Sequence, residues 1–159
     1  MPGVEPARFR QLLGHFATGV TVVTATGPDG KPVGMTANTL TSISLQPPLI
    51  SVCIDHAADM FQIMEQTGAF TVNILAADQE AISRRFAEQS SNRFDGLGFE
   101  PSQHGGVVLN GAIAYLECEP VSRVPAGDHT IYVARVVGGE TFEGEPLLYY
   151  RGGYAGLRQ

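Results

Sequence analysis

The sequence has no basic run and few basic residues: ten Lys plus Arg stand against sixteen Asp plus Glu, for a net charge of −6. A surface this anionic has little with which to neutralise nucleic-acid phosphates, and an anionic lipid surface is excluded on the same ground. No apolar stretch reaches the roughly 20 residues that span a bilayer. Residues 1–16 lack a charged segment followed by an apolar one, so a cytoplasmic protein is expected. Cysteine is scarce. Cys53 and Cys118 lie far apart, each in an apolar strand-like run, which reads as two buried free thiols rather than a disulfide. No His pair completes zinc-ligand spacing around them, and no metal is expected. Gly-x-Ser-x-Gly, a P-loop and a Gly-x-Gly-x-x-Gly following a strand are all missing, which disfavours a hydrolase and a Rossmann dehydrogenase. Charged residues make up only 16% of the chain. Much of the surface is therefore uncharged or covered by a partner subunit, and the second is the preferred reading.

What is present is patterned for a mainly β domain spanning residues 1–159. Phe9, Leu12, Leu13 and Phe16 fall on one helical face of residues 7–16, which Gly19 ends. Residues 20–26 are rich in Val and Thr and read as a strand. The Gly27-Pro28-Asp29-Gly30-Lys31-Pro32 turn returns it as a second strand at 33–37. Residues 49–54 read as a buried strand after Pro47-Pro48, and Asp59 as the cap of a short helix with Met60, Phe61, Ile63 and Met64 inward. A strand is expected at 70–75, an amphipathic helix at 78–89 and a long surface loop at 90–111. Further strands are expected at 112–124, with a break at Pro120, at 129–137 and at 147–150. Six or seven strands that do not alternate with helices argue for an antiparallel barrel and against a parallel sheet.

Four stretches carry candidate chemistry. Gly34-Met35-Thr36-Ala37-Asn38-Thr39-Leu40-Thr41-Ser42 offers four hydroxyls and a carboxamide between residues 36 and 42. Such a stretch suits a phosphate or a heterocycle edge, and Gly34 lets a ligand approach the backbone; an ordinary Thr-rich edge strand has the same composition. Gly127-Asp128-His129 puts a His at the mouth of a strand, where it can meet a bound ring or simply cap a turn. Tyr149, Tyr150 and Tyr154 flank Arg151-Gly152-Gly153 and suit either a flat ligand or barrel packing. Arg84, Arg85 and Arg93 form a candidate phosphate clamp, or a solvated helix face.

Taken in order, the segments resemble those of the flavin reductase-like, flavin-binding split barrels. These include the small reductase components of two-component flavin-dependent monooxygenases. The likeness rests on Phe16-Ala17-Thr18-Gly19-Val20-Thr21-Val22-Val23-Thr24, and on Gly34-Met35-Thr36-Ala37-Asn38-Thr39 running into Ser42-Ile43-Ser44-Leu45-Gln46-Pro47-Pro48-Leu49. It continues through Gly68-Ala69-Phe70-Thr71-Val72-Asn73-Ile74-Leu75, Pro125-Ala126-Gly127-Asp128-His129-Thr130-Ile131 and Pro146-Leu147-Leu148-Tyr149-Tyr150-Arg151-Gly152-Gly153-Tyr154. The resemblance implies a six-stranded antiparallel Greek-key split β-barrel with flanking helices, in a homodimer with the flavin near the interface.

It also implies site residues. Met35, Thr36, Ala37, Asn38 and Thr39 run along the flavin, and Ser42 lies close to the phosphate. Ser51, Val52 and Cys53 pass the isoalloxazine. Arg85 and Phe86 sit at the phosphate or adenine end, Tyr154 helps cover the site, and His129 meets the nicotinamide or flavin ring as the catalytic candidate. One segment departs from the pattern. Where relatives often place hydroxyl or Lys residues, residues 55–60 read Asp-His-Ala-Ala-Asp-Met, a poor grip for a phosphate.

The implied activity is NAD(P)H:flavin oxidoreduction. Hydride passes from NADH or NADPH to FMN or FAD, and the reduced flavin leaves for a partner monooxygenase. The rivals are a barrel with permanently bound FMN acting as electron carrier, a flavin-binding barrel without turnover, and an interaction domain that binds no ligand.

Overall fold

A computed structural model describes residues 1–158 of the chain. Pro6 opens helix α1 (Pro6–Leu13), where its missing N–H costs nothing because the first helical turn has no internal partners. The helix stops short of Phe16. Its apolar face meets no core of its own chain: Phe9, Leu12 and Leu13 are 55%, 46% and 53% exposed, and Phe16 beyond it 73%. The short strand β1 (Thr18–Gly19) follows, then the expected hairpin of β2 (Thr21–Thr26) and β3 (Pro32–Ala37). The hydroxyl-rich stretch supplies an edge strand, β4 (Thr41–Leu45), which turns at Gln46–Pro47 into β5 (Pro48–Asp55). Residues of β5 alternate between buried and half-buried, so only Ile50, Val52 and Ile54 face inward.

In α2 (Asp59–Gln66) the capping position belongs to Ala58, and Asp59 is the first helical residue. Its charge complements the helix dipole there instead of accepting a cap hydrogen bond. Next come β6 (Phe70–Ile74) and α3 (Glu80–Ala87). The expected loop at 90–111 contains a small hairpin, β7 (Phe99–Pro101) and β8 (Val107–Leu109), with Val107 and Leu109 buried. Two 13-residue strands follow, β9 (Ala114–Ala126) and β10 (His129–Thr141). Pro120 does not break β9. It lies beside a register shift in which Ser122 and Pro120 face consecutive residues of β10, so the missing N–H of Pro120 falls where a bulge already interrupts the ladder. The chain ends in a hairpin of β11 (Leu148–Tyr150) and β12 (Gly153–Ala155). The strands therefore outnumber the six or seven expected.

All strand pairs are antiparallel. The main sheet runs β3-β2-β6-β9-β10-β5-β4, and a three-stranded sheet runs β1-β11-β12. The main sheet curls. One core takes Val23, Ile54, Phe70, Val72, Tyr132, Met60 and Met64 together with Met35 of the end strand β3. Burial of each such large side chain contributes about 1.5–3 kcal/mol. The hydrogen-bonded ladder does not close, because β4 takes the outer edge of β5 over residues 48–51, the edge that β3 would need. In the gap the Thr39 side chain takes a backbone role: its Oγ1 accepts the Cys53 N–H at 3.0 Å.

A second core, around Val22, Leu75, Phe86 and Leu109, seats α3 and the β7–β8 hairpin on the outside of the sheet. Side chains lash β8 there. Thr24 Oγ1 donates to Val107 O at 2.7 Å and accepts its N–H at 3.0 Å, and Asn73 Oδ1 accepts the Leu109 N–H at 2.9 Å. Gly34 belongs to this core. A Cβ at that position would lie 3.1 Å from the Phe86 ring, so the close approach it permits is that of a phenyl ring rather than a ligand. Among the described residues no helix is long and apolar enough to cross a membrane.

Candidate functional site

The end of β3 and the segment after it form the seam between two clefts. The larger, about 740 Å³, is walled by Phe9, Leu13 and Phe16 on one side and by residues 38–41 and Cys53 on the other. The smaller, about 230 Å³, is lined by Thr36, Ala37, Ser83, Ala87, Tyr149 and Tyr154, and both clefts include Val20 and Asn38. A seam of this kind follows from the topology. β3 cannot continue its ladder past Ala37, so the chain crosses the open gap tied to β5 through the Thr39 side chain. A third cavity of about 910 Å³, around Ser102, Glu117 and Phe142, shares no residue with these two.

The smaller cleft is ordered by a chain of hydroxyls. Thr36 Oγ1 donates to Ser83 O at 2.6 Å, and Ser83 Oγ shares a hydrogen bond of 2.7 Å with the Tyr154 hydroxyl. Thr21 Oγ1 donates to Ala37 O at 2.7 Å. The Tyr154 ring meets Tyr149 edge-on at 5.4 Å and lies 4.9 Å beneath the Arg84 guanidinium. In the larger cleft Cys53 is half-buried, and burial pushes its thiol pKa up against the opposing hydrogen bond with Thr39. Cys118, in the core, is pushed to about 12 by burial and by Glu117.

Along this seam the structure gathers Thr36, Ala37, Asn38, Thr39, Cys53 and Tyr154. Met35 points the other way, into the main core. Val52 is fully buried and can offer a ligand only its backbone. Ser42 is exposed on β4, and Ser51 is half-buried on β5. Phe86 is 1% exposed, with its ring against Phe94; it holds α3 to the sheet and reaches neither cleft. Arg85 turns to the 90–95 loop, donating to Asn92 O at 3.0 Å and to Asp95 O. Arg93 donates to Glu88 O and Gly34 O. Arg84 is paired with Glu80 at 2.7 Å. The arginines of and after α3 thus do not form one clamp.

His129 stands apart from both clefts. It faces Asp55 across the β5–β10 ladder, on the outer side that Cys53 shares, about 7 Å along the strand. Its Nδ1 lies 2.7 Å from Asp128 Oδ1, and this hydrogen bond with its attendant charge holds the Asp128 carboxyl below the usual carboxylate range. Sequence reasoning missed Ser83, whose one signal was a small hydroxyl on the inner stripe of α3. It also missed that the exposed apolar side chains of α1 are a wall of the larger cleft.

The geometry suits a flat, amphipathic ligand: apolar walls, short neutral donors at the rim, and exposed or half-buried Asn38, Ser42 and Ser51 whose side chains make no hydrogen bond among the described residues. Known proteins share the sequence pattern and the fold of this chain. Residues 13–158 match the family described as flavin reductase like domain. A flavin reductase of Pseudomonas putida is 38% identical over 155 residues, covering 97% of this chain and 91% of that protein. The reductase subunit HsaB of a flavin-dependent monooxygenase from Rhodococcus jostii is 37% identical, covering 97% of this chain and 79% of that protein. The structure of the NADH:FAD oxidoreductase SgcE6 of Streptomyces globisporus, in complex with NAD and FAD fragments, superposes with a TM-score of 0.92 at 36% identity. That match covers 99% of this chain and 98% of the other.

Proposed function

The chain belongs to the flavin reductase-like domain family, and on that footing we propose that it is an NADH-dependent flavin reductase that supplies reduced flavin to a partner monooxygenase. The observation that carries this reading is the seam at residues 36–41, where two clefts meet over neutral hydroxyls and an amide. A tricyclic ring fits such a place. Its faces need apolar cover and its edge needs short donors and acceptors. Bound flavin supplies the redox chemistry, taking a hydride from the nicotinamide.

The protein's part is alignment and shelter. Thr36, Asn38 and Thr39 hold the ring edge and the chain leading from it. Ser42 and Ser51 serve the polar end, and the outer backbone of β5 beside Val52 and Cys53 lies along the ring. Tyr154, fixed by Ser83, closes the smaller cleft. His129 is assigned the nicotinamide, its orientation set by Asp128. Fixing two rings in register can account for about 7–11 kcal/mol of barrier lowering, so no protein nucleophile is required. Met35, Arg85 and Phe86, expected in contact with the cofactor, are assigned to supporting the walls.

The finer features belong to the same reading. The chain is one domain, and its curled sheet is a six-stranded Greek-key split barrel with β4 as an extra edge. A homodimer covers the apolar face of α1. The protein is cytoplasmic, and NADPH is the alternative donor. The acidic residues Asp55 and Asp59, with Ala58 and Met60 between and after them, favour flavin as a substrate that leaves over flavin held permanently. The test is anaerobic oxidation of NADH with FMN and with FAD added. Turnover proportional to added free flavin is expected. Purified protein that keeps stoichiometric flavin through dialysis and ignores added flavin overturns the reductase reading in favour of the electron carrier.

A further inference from the structure

Most arginines of this acidic chain are committed. Arg84, Arg123 and Arg135 pair with Glu80, Glu65 and Glu119, and Arg85 and Arg93 donate to backbone carbonyls. Arg10, Arg151 and the exposed Arg158 near the end of the chain are different: among the described residues none of these guanidinium groups has a hydrogen bond or an ion pair. The fold brings Arg10 and Arg151 together. A notch of about 330 Å³ between the end of α1 and the turn of the β11–β12 hairpin is lined by Arg10, Gln11, His15 and Arg151, with the small residues Ala7, Gly14 and Gly152 as its floor. No carboxylate lines it.

The notch is held in shape. The Arg151 N–H donates to Gly14 O at 2.8 Å, and a Cβ on Gly14 would lie 3.5 Å from the Arg151 Cα. His15 Nδ1 is 2.9 Å from Gln11 O. Its Tyr150 neighbour packs edge-on at 6.3 Å, and Nε2 is left without a partner.

Cations near a helix C-terminus are ordinary, because they complement its dipole. That accounts for Arg10, which lies in the last turn of α1. It does not account for Arg151, which is on another element. Arg151 is also the only non-glycine residue at positive φ among those described, at 51°, followed by Gly152 at 78°. A two-residue turn with both φ values positive favours Asn-Gly, so the backbone alone would place Asn or Gly at position 151. An arginine stands there against local preference, and it lines the notch that Arg10, a second unpaired guanidinium, also lines.

We propose that this notch is an anion site that binds a phosphate group, free or carried by a nucleotide, with Arg10 and Arg151 as the paired cations. Guanidinium pairs suit phosphate because each presents several N–H donors in a fixed plane. The site lies on the face of α1 opposite Phe9 and Leu13, which wall the larger cleft, so its occupation is separable from flavin binding in that cleft.

The test is isothermal titration of the whole protein with inorganic phosphate, 5′-ADP, 2′,5′-ADP and adenosine, at low and moderate salt. Phosphate-bearing probes are expected to bind and adenosine is not. Arg10→Ala and Arg151→Asn should each weaken them on the order of tenfold, while flavin affinity stays as in the unaltered protein. Equal affinity for inorganic phosphate and the nucleotides would mark the bare phosphate as the ligand, and tighter nucleotide binding would mark the nucleotide; either supports the site. Because Asn suits the turn better than Arg, Arg151→Asn should melt no lower than the parent, so a loss of binding cannot be laid to unfolding. Unchanged affinity in both variants, or adenosine binding as well as ADP, overturns the proposal.

Discussion

The Tyr154 hydroxyl and Ser83 Oγ share a hydrogen bond of 2.7 Å, which joins the last strand to the inner face of α3. Because Ser83 O also accepts from Thr36 Oγ1, this one contact aligns three elements on the smaller cleft. Tyr154→Phe keeps the ring under Arg84 but frees Ser83. The expected cost is about 0.5–1.5 kcal/mol of stability and a roughly 2- to 10-fold weaker flavin affinity. Thermal melts and flavin fluorescence titration would measure these. Ser83→Ala should cost the same, and the double variant little more, since both remove one bond.

Phe9, Leu13 and Phe16 present an apolar wall to water in the isolated chain. If a second copy covers it, Leu13→Asp places a charge in that interface and should shift sedimentation toward the monomer. Flavin affinity should fall with it, because the same side chains wall the larger cleft. A dimer of unchanged strength would exclude α1 from the contact.

The two thiols should differ in reactivity. Cys118 is fully buried with its pKa near 12, and Cys53 is half-buried with a smaller rise. The thiolate is the nucleophile, so at mildly alkaline pH an alkylating reagent should modify Cys53 slowly and Cys118 only on unfolding. Mass spectrometry reads both sites. Saturating FMN should protect Cys53.

Asp128 is depressed chiefly by its hydrogen bond to His129, and then by that residue's charge. A carboxyl whose folded pKa lies below its unfolded value adds stability above the unfolded value, and that stability is lost as pH falls through the folded one. The window is therefore acidic, at and below about pH 4. His129→Ala should move the Asp128 titration, followed by carboxyl carbon NMR, back toward the usual aspartate range. Nicotinamide KM should rise in the same variant, since His129 is the residue assigned to that ring.

Much of this was legible in the chain. The Val/Thr run before Gly27 reads as one arm of a hairpin with 33–37, because the turn brings that segment back alongside it; its second partner, β6, lies too far along the chain for local patterning to name. The hydroxyl-rich stretch did fall at the seam between the clefts. What sequence patterning could not supply was orientation. Arg85 and Phe86 sit on a helix whose side chains point several ways, and only the packing of Phe86 on Gly34 turns Ser83 and Arg84, rather than Arg85, toward Tyr154. The β7–β8 hairpin was hidden for a related reason. Its strands are three residues long, too short for alternation to register, and their partners are distant side chains.

Those partners have a consequence for assembly. β8 is pinned by Thr24 and Asn73, which stand on the neighbouring strands β2 and β6 of the main sheet. The two anchors face the same side only in the observed register of β2 with β6. A slip of one residue between these strands would turn Asn73 to the opposite face and leave the hairpin fastened by Thr24 alone, a clasp closed at one end.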